Sequence, residues 1–165
     1  MGCELPRGAS APQASKQHME ATVPNATDCR IVVNGMDIPP QDALNETYNH
    51  YVVDGMEFGY GQNGCEYRVS DNHTAKCAVG HLMEVAKVPE DSTDWTDSGS
   101  VDGFPTGDGL FKGSNELGMD FLQDLQGAHD GAAQQDGGAS VPKLIENLCG
   151  VAESWNLAEP TPPLR

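Results

Sequence analysis

Residues 141–156 read Val-Pro-Lys-Leu-Ile-Glu-Asn-Leu-Cys-Gly-Val-Ala-Glu-Ser-Trp-Asn, and this stretch indicates a helical fold. Its apolar residues recur at every third or fourth position, which is the period of one face of an amphipathic helix. Ser140 is suited to cap the first turn, and Pro142 is tolerated there because that turn needs no N–H donor. The stretch therefore predicts a helix with an apolar face made of Leu144, Ile145, Leu148, Ala152 and Trp155.

Three earlier segments have the same period, at residues 41–53, 76–86 and 117–129. The first starts beside Pro40 and ends before Gly55, which are residues typical of a helix start and a helix stop. Each segment therefore predicts a helix. The predicted apolar faces are Leu44, Tyr48, Tyr51 and Val52 in the first, Ala78, Val79, Leu82, Met83 and Ala86 in the second, and Phe121, Leu122, Leu125 and Ala128 in the third.

Two short segments favour β-structure. Ile31-Val32-Val33 runs into Asn34-Gly35, a pair typical of a tight hairpin turn. Residues 65–69 alternate apolar and polar side chains, which is the pattern of a short strand. Together with the helical segments, they predict a mainly α fold, a small domain of about four helices with a short β-hairpin.

The composition limits how much of the chain can pack. Leu, Ile, Val and Phe account for 30 of 165 residues, and the net charge is −16. Chains this poor in large apolar residues and this charged tend to keep disordered parts. We expect a disordered arm at residues 1–25, one domain at 26–157 and a flexible tail at 158–165. Within the domain, residues 87–115 predict a long acidic loop with six Asp and Glu residues.

The acidic charge also excludes classes of function. With 9 Lys and Arg against 25 Asp and Glu, direct binding to nucleic acid or to an anionic membrane is not expected. The sequence has no run of 18 apolar residues and no secretion signal. The odd number of cysteines, five, argues against a disulfide scaffold. We therefore expect a reduced, cytoplasmic protein.

One group of residues has donor types that suit a metal. Cys65, His73, Cys77 and His81 follow the spacing C-x7-H-x3-C-x3-H. On a helix, residues 73, 77 and 81 would share a face and offer nitrogen and sulfur to zinc, with Cys65 as the fourth ligand. The spacing matches no zinc finger or zinc ribbon, and Asn72 and Thr74 place His73 in a turn. The favoured interpretation has no metal and no cofactor, and zinc is the alternative.

Nucleophilic catalysis needs an activated side chain with a base beside it. Cys77 lies at a helix start, where the dipole lowers the pKa of a thiol, and His129-Asp130 supplies a base with an orienting carboxylate. Such an arrangement is defined by geometry rather than by sequence order. The favoured interpretation packs Cys77 in the core and places His129 near a helix end. Neither an EF-hand register in residues 91–108 nor a phosphate-binding glycine loop is present.

Several motifs resemble a family of small uncharacterised proteins encoded by bacteriophages and bacteria. Gly64-Cys65-Glu66-Tyr67-Arg68 and Lys76-Cys77-Ala78-Val79-Gly80-His81-Leu82 are similar to its "C-x-Y-R … K-C-A-[IV]-G-x-L" signature. His50-Tyr51-Val52-Val53-Asp54-Gly55 and Leu125-Gln126-Gly127-Ala128-His129-Asp130 resemble its flanking helices, so the resemblance covers residues 42–157. It implies a phage-type, intracellular protein with an ordered core, and it transfers no catalytic residue. The signature residues expected to be structural are Cys65, Tyr67, Arg68, Cys77, Gly80 and His129.

The expected function is protein binding without catalysis. Glu116, Asp120 and Asp124 share one helical face that carries no basic residue, and like charges at this spacing oppose helix formation. A uniformly negative stripe would suit the basic groove of a nucleic-acid-binding host protein, by mimicry of DNA charge. The alternatives are a minor virion protein and a small thiol- or zinc-dependent enzyme. The enzyme would use Cys65, Cys77, His81 and His129.

Overall fold

A computed structural model describes residues 24–61, 64–69, 74–96 and 109–161. This part of the chain is a small, mainly α domain with four α-helices, as the periodicity predicts. The predicted arm lies outside the described residues up to residue 23. The helices are α1 Pro40–Tyr48, which continues as a π-helical turn Asn49–Val53, α2 Ala78–Val85, α3 Glu116–Ala133 and α4 Val141–Ser154.

Two short antiparallel hairpins precede α2. In the first, β1 Val32–Val33 pairs with β2 Met36–Asp37 around the predicted Asn-Gly turn. Asn34 and Gly35 both have positive φ angles, of 49° and 77°, as a tight hairpin turn of this type requires. In the second hairpin, β3 Tyr60–Gly61 pairs with β4 Gly64–Cys65. The alternating segment at 65–69 is thus a strand only at its first residue.

The core lies where α4 packs along α3, with α1 and α2 against this pair. Most of the apolar residues predicted to form the inner faces of the last two helices are buried here, including Leu122, Leu125, Leu144 and Leu148, whereas Ile145 is half-buried. Ser140 caps α4 by accepting a hydrogen bond from the Lys143 N–H at 3.3 Å. The helical period alone was therefore sufficient to place these two helices.

Two helix boundaries differ from the prediction for reasons of packing. α2 begins at Ala78 because the Cys77 thiol accepts the Gly80 N–H at 3.4 Å and caps the first turn. α3 continues past its predicted end at residue 129, through Gly131 to Ala133. Ala132 is fully buried, and packing against α4 outweighs the low helix propensity of glycine.

The acidic segment 87–115 is not a single solvated loop. Residues 97–108 lie outside the described residues, but both flanks contribute to the core. Trp95, Leu110 and Phe111 are buried. Isolated aromatic and aliphatic residues among acids carry no period, so the sequence analysis missed these anchors.

The first residues of the predicted flexible tail, 158–161, are attached to the domain. The Gln41 side chain donates to the Ala158 carbonyl at 3.1 Å and accepts the Ala158 N–H at 2.9 Å. Pro160 is also buried. Residues 158–161 are therefore an extension of the fold along α1, and 162–165 lie outside the described residues.

Candidate functional site

The signature residues meet where α2 begins. A Cβ at Gly80 would collide with the carbonyl of Tyr67, so only glycine lets the chain after β4 pass this closely over α2. Tyr67 and Cys77 are both buried. This contact requires glycine at residue 80 and holds the backbone of Tyr67 against the start of α2.

The structure describes the side chains of only two of the four predicted zinc ligands, Cys77 and His81. His73 lies outside the described residues, and for Cys65 only the backbone, in β4, is described. The Cys77 thiol is fully buried and occupied as the cap of α2. Among the side chains that the structure does describe, no group of three His, Cys, Asp or Glu residues could hold a metal ion.

Three histidines lie around the π-helical turn, and the sequence predicts a chemical role for only two of them, His81 and His129. The ring of His50 stacks on that of His81, with centroids 3.8 Å apart, and the ring of His129 lies 5.1 Å from that of Phe58. The Nε2 atoms of His50 and His129 are buried without a hydrogen-bond partner. Burial therefore lowers the pKa of His50 to about 3, with the nearby charges of His81, Lys76 and His129 acting in the same direction.

His81 differs from its neighbour because carboxylates flank it. Its Nε2 lies 3.6 Å from Glu46 and its Nδ1 lies 3.7 Å from Glu84. Burial lowers the pKa of His81, and the two carboxylates oppose this effect without reversing it. His50 and His81 are therefore neutral packing partners at neutral pH.

His129 has the orienting carboxylate that its sequence position suggested. Its Nδ1 lies 2.9 Å from the Asp130 carboxylate, which also accepts a hydrogen bond from the Gln126 amide at 2.7 Å. The Gln126 carbonyl in turn accepts the Val79 N–H at 3.2 Å, which ties α3 to α2. The His129 side chain is fully buried. As it stands, this network holds two helices together and presents no base to solvent.

The predicted acidic stripe lies along the surface of α3. Glu116, Asp120 and Asp124 are all exposed. The Asp124 carboxylate also accepts the indole N–H of Trp155, at 2.7 Å, so its position is fixed by α4. This anchoring contact was not predicted from the sequence.

Asp124 stands at the edge of a groove of about 440 Å³ between α3 and α4. A Cβ added at Gly127 or at Gly150 would meet nothing within 4 Å, so the floor of the groove is open helix backbone. The lining residues are Asp124, Gly127, Ala128, Glu146, Asn147, Gly150, Val151 and Ser154. Glycines inside two helical patterns were the available sequence signal for this feature.

Comparison with known proteins gives no relative for this chain, because no family model, no curated protein and no solved structure matches it. Among the described residues, no helix has both the length and the apolar character that crossing a membrane requires.

Proposed function

We propose that this protein is a non-enzymatic, acidic protein-binding module that receives a basic segment of a partner in the groove between α3 and α4. The observation that carries the proposal is the anchored Asp124 carboxylate beside a floor of Gly127 and Gly150. The groove offers charge beside an open backbone floor, whereas an acidic surface alone offers only charge.

The shape of the groove suits a long cationic side chain. With no side chain at Gly127 or Gly150, the aliphatic stem of a lysine or arginine can lie against the helix backbones. Its charged end would then reach Asp124 or Glu146. Glu146 is paired with Lys143 at 2.9 Å, but its side chain is 71% exposed and can exchange this partner at little cost.

Exposed acidic residues outside the groove also attract a positively charged partner. Glu116 and Asp120 continue the negative stripe along α3, and Glu153 is exposed on α4. Such a field accelerates encounter with a positively charged surface and weakens with added salt. The preferred partner is a host nucleic-acid-binding protein whose basic DNA-binding groove supplies the basic segment, so that the acidic surface takes the place of DNA. The setting we propose is the cytoplasm of a bacterium that carries a phage or a prophage.

The test uses a synthetic lysine–alanine peptide as the probe, titrated by calorimetry. We expect saturable binding that weakens severalfold when salt is raised to about 0.15 M. Gly150→Leu should abolish the binding by filling the groove, and Asp120→Asn with Asp124→Asn should weaken it and slow association. Binding that is indifferent to salt and to these variants overturns the proposal.

Matched controls separate the groove from general charge. Asp136→Asn removes one negative charge from an exposed site after α3, outside the groove, as Asp124→Asn alone does within it, and should change the affinity little. An equal loss with Asp136→Asn would show that net charge alone attracts the peptide. The glutamate–alanine counterpart of the peptide should not bind.

The enzyme alternative stays a prediction. It requires Cys65, Cys77, His81 and His129 to act together, and within the described part of the chain Cys77 and His129 are fully buried. A minor virion protein would bind through the same acidic surface, and its detection in purified particles would favour that alternative over an intracellular module.

A further inference from the structure

A second concave site lies on another side of the domain, at the signature residues rather than at the acidic groove. It is a cleft of about 420 Å³ between the chain that follows β4, the end of α2 and the segment before residue 97. This volume falls within the range of small-molecule sites, about 300–1,000 Å³. Its lining residues are Arg68, Thr74, Lys76, Glu84, Val88, Glu90 and Trp95.

The cleft brings two basic residues together in an acidic protein, beside the side chains of Glu84 and Glu90. Six Lys and Arg residues fall within the described ranges, and two of them, Arg68 and Lys76, line this one cleft. They come from different parts of the signature, which are brought together by the contact of Gly80 with Tyr67. The sequence alone predicts a structural role for Arg68 and no specific role for Lys76.

Lys76 has a buried ammonium group whose positive charge is only weakly compensated by its surroundings. Its side chain is 9% exposed, and its one ion pair among the described residues is with Glu84, at 3.4 Å. Glu84 has a side chain that is 53% exposed. Because removing an ammonium group from water is costly, a single carboxylate on a solvated side chain is a poor substitute for its hydration.

Hydrogen bonds hold the backbone of Lys76 in place, and they therefore help to position its side chain at the cleft. Its carbonyl accepts the Tyr51 hydroxyl at 2.6 Å and the Gly59 N–H at 2.7 Å. An ammonium group has three donors, and Glu84 is the described partner of only one. Donors therefore remain for a ligand that enters the cleft.

Arg68 is held with its charge uncompensated by any carboxylate among the described residues. Its guanidinium lies 4.8 Å from the centre of the Trp95 ring and donates to the Glu90 carbonyl at 3.0 Å. Trp95 is itself anchored by donating to the Pro89 carbonyl at 2.8 Å. These contacts orient the planar guanidinium and leave further N–H groups to bind an oxyanion.

We propose that this cleft binds a small organic anion through a carboxylate or phosphate group that contacts Lys76 and Arg68. The exposed Glu84 carboxylate lies 3.4 Å from the Lys76 ammonium group and 3.7 Å from His81 Nδ1 in the free protein, and it moves into solvent when the ligand enters. The rest of the ligand lies against Val88 and the edge of Trp95. This site is independent of the acidic groove, which would attract ligands of the opposite charge.

The test measures binding of three probes by calorimetry at constant ionic strength, namely inorganic phosphate, adenosine monophosphate and citrate. We expect saturable binding of at least one organic anion, with inorganic phosphate weaker because it fills less of the cleft. Preference for adenosine monophosphate assigns a phosphate ligand, and preference for citrate assigns a carboxylate ligand. Saturable binding by none of the three overturns the proposal.

Three variants test the assignment of residues. Lys76→Met and Arg68→Gln should each weaken binding about tenfold or more, as expected when a charged hydrogen bond is lost. Glu84→Gln should strengthen binding, because the competing carboxylate is removed. Unchanged affinity in Lys76→Met, or weaker binding in Glu84→Gln, contradicts the model.

Controls exclude loss of the fold and loss of charge in general. Lys76→Met removes a buried ammonium group, and its partner Glu84, 53% exposed, stays hydrated rather than becoming a buried unpaired charge, so the variant should retain the melting temperature. Lys112→Met removes an exposed lysine outside the cleft and should leave the affinity unchanged. An equal loss with Lys112→Met would overturn the site in favour of nonspecific attraction.

Discussion

Trp155 of α4 donates its indole N–H to the Asp124 carboxylate of α3, at a distance of 2.7 Å. The ring packs edge-on against Phe121, so a single residue closes the core and orients an acidic side chain at the groove. The same contact therefore stabilises the packing of α3 against α4 and fixes the position of a surface carboxylate.

Trp155→Phe tests this contact. It keeps an aromatic ring in the core but removes the N–H donor, and we expect the free energy of unfolding to fall by about 1–3 kcal/mol. The measurement is urea denaturation followed by circular dichroism. Asp124→Asn is the matched variant, because its amide oxygen can still accept the indole N–H. It should retain most of the stability yet bind the lysine–alanine peptide less tightly, and equal stability loss in both variants would contradict this separation.

Gly80→Ala should be among the most destabilising small changes in the described part of the chain. The added methyl group collides with the Tyr67 carbonyl, which cannot move without distorting the signature. We expect a loss of about 1–3 kcal/mol in unfolding free energy. Gly127→Ala is the control, since its methyl group meets nothing within 4 Å and alanine favours a helix by about 1 kcal/mol. Similar melting temperatures for both variants would refute the close contact.

Cys77→Ala distinguishes a structural thiol from a reactive or metal-binding one. The side chain is fully buried and caps α2, so its loss should cost about 1–2 kcal/mol. Peptide binding should persist, and purified protein should contain no stoichiometric zinc. Stoichiometric zinc in the natural protein that disappears in Cys77→Ala would instead favour the metal site. Elemental analysis and urea denaturation supply both measurements.

The predictions that succeeded rest on periodicity and local turn chemistry. α4 and its Ser140 cap, and the Asn34-Gly35 turn, depend on residues near each other in sequence, whose preferences packing reinforces. Trp95 was missed because it is a single apolar residue in an acidic segment. Its burial depends on Arg68 and Pro89, and no pattern within residues 87–115 reveals these partners.

The candidate sites were harder to predict than the helices. The stripe formed by Glu116, Asp120 and Asp124 follows from helical spacing, but the groove beside it needs α4 in position. The cleft brings Arg68 and Lys76 together only because Gly80 allows the chain after β4 to cross α2. Convergence of this kind is set by tertiary structure, which spacing alone does not encode.

The stacked pair His50 and His81 predicts loss of stability in mild acid. Both pKa values are lowered by burial, that of His50 to about 3, while the unfolded chain titrates near the ordinary value of 6.5. Between these values the unfolded state binds more protons than the folded state, so stability is complete above pH 6.5 and falls as the pH decreases toward 3. The carboxylates of Glu46 and Glu84 moderate the effect at His81, whereas Lys76 and His129 increase it at His50.

The measurement is the urea midpoint of unfolding across this pH range. Below pH 6.5, His50 alone should remove about 1.4 kcal/mol of stability for each pH unit. His50→Phe keeps an aromatic ring on His81 but cannot titrate, so its midpoint should depend less on pH in this interval. A natural protein equally stable at pH 6.5 and pH 5, or a variant with the same slope, would show that the buried histidines are not the titrating groups.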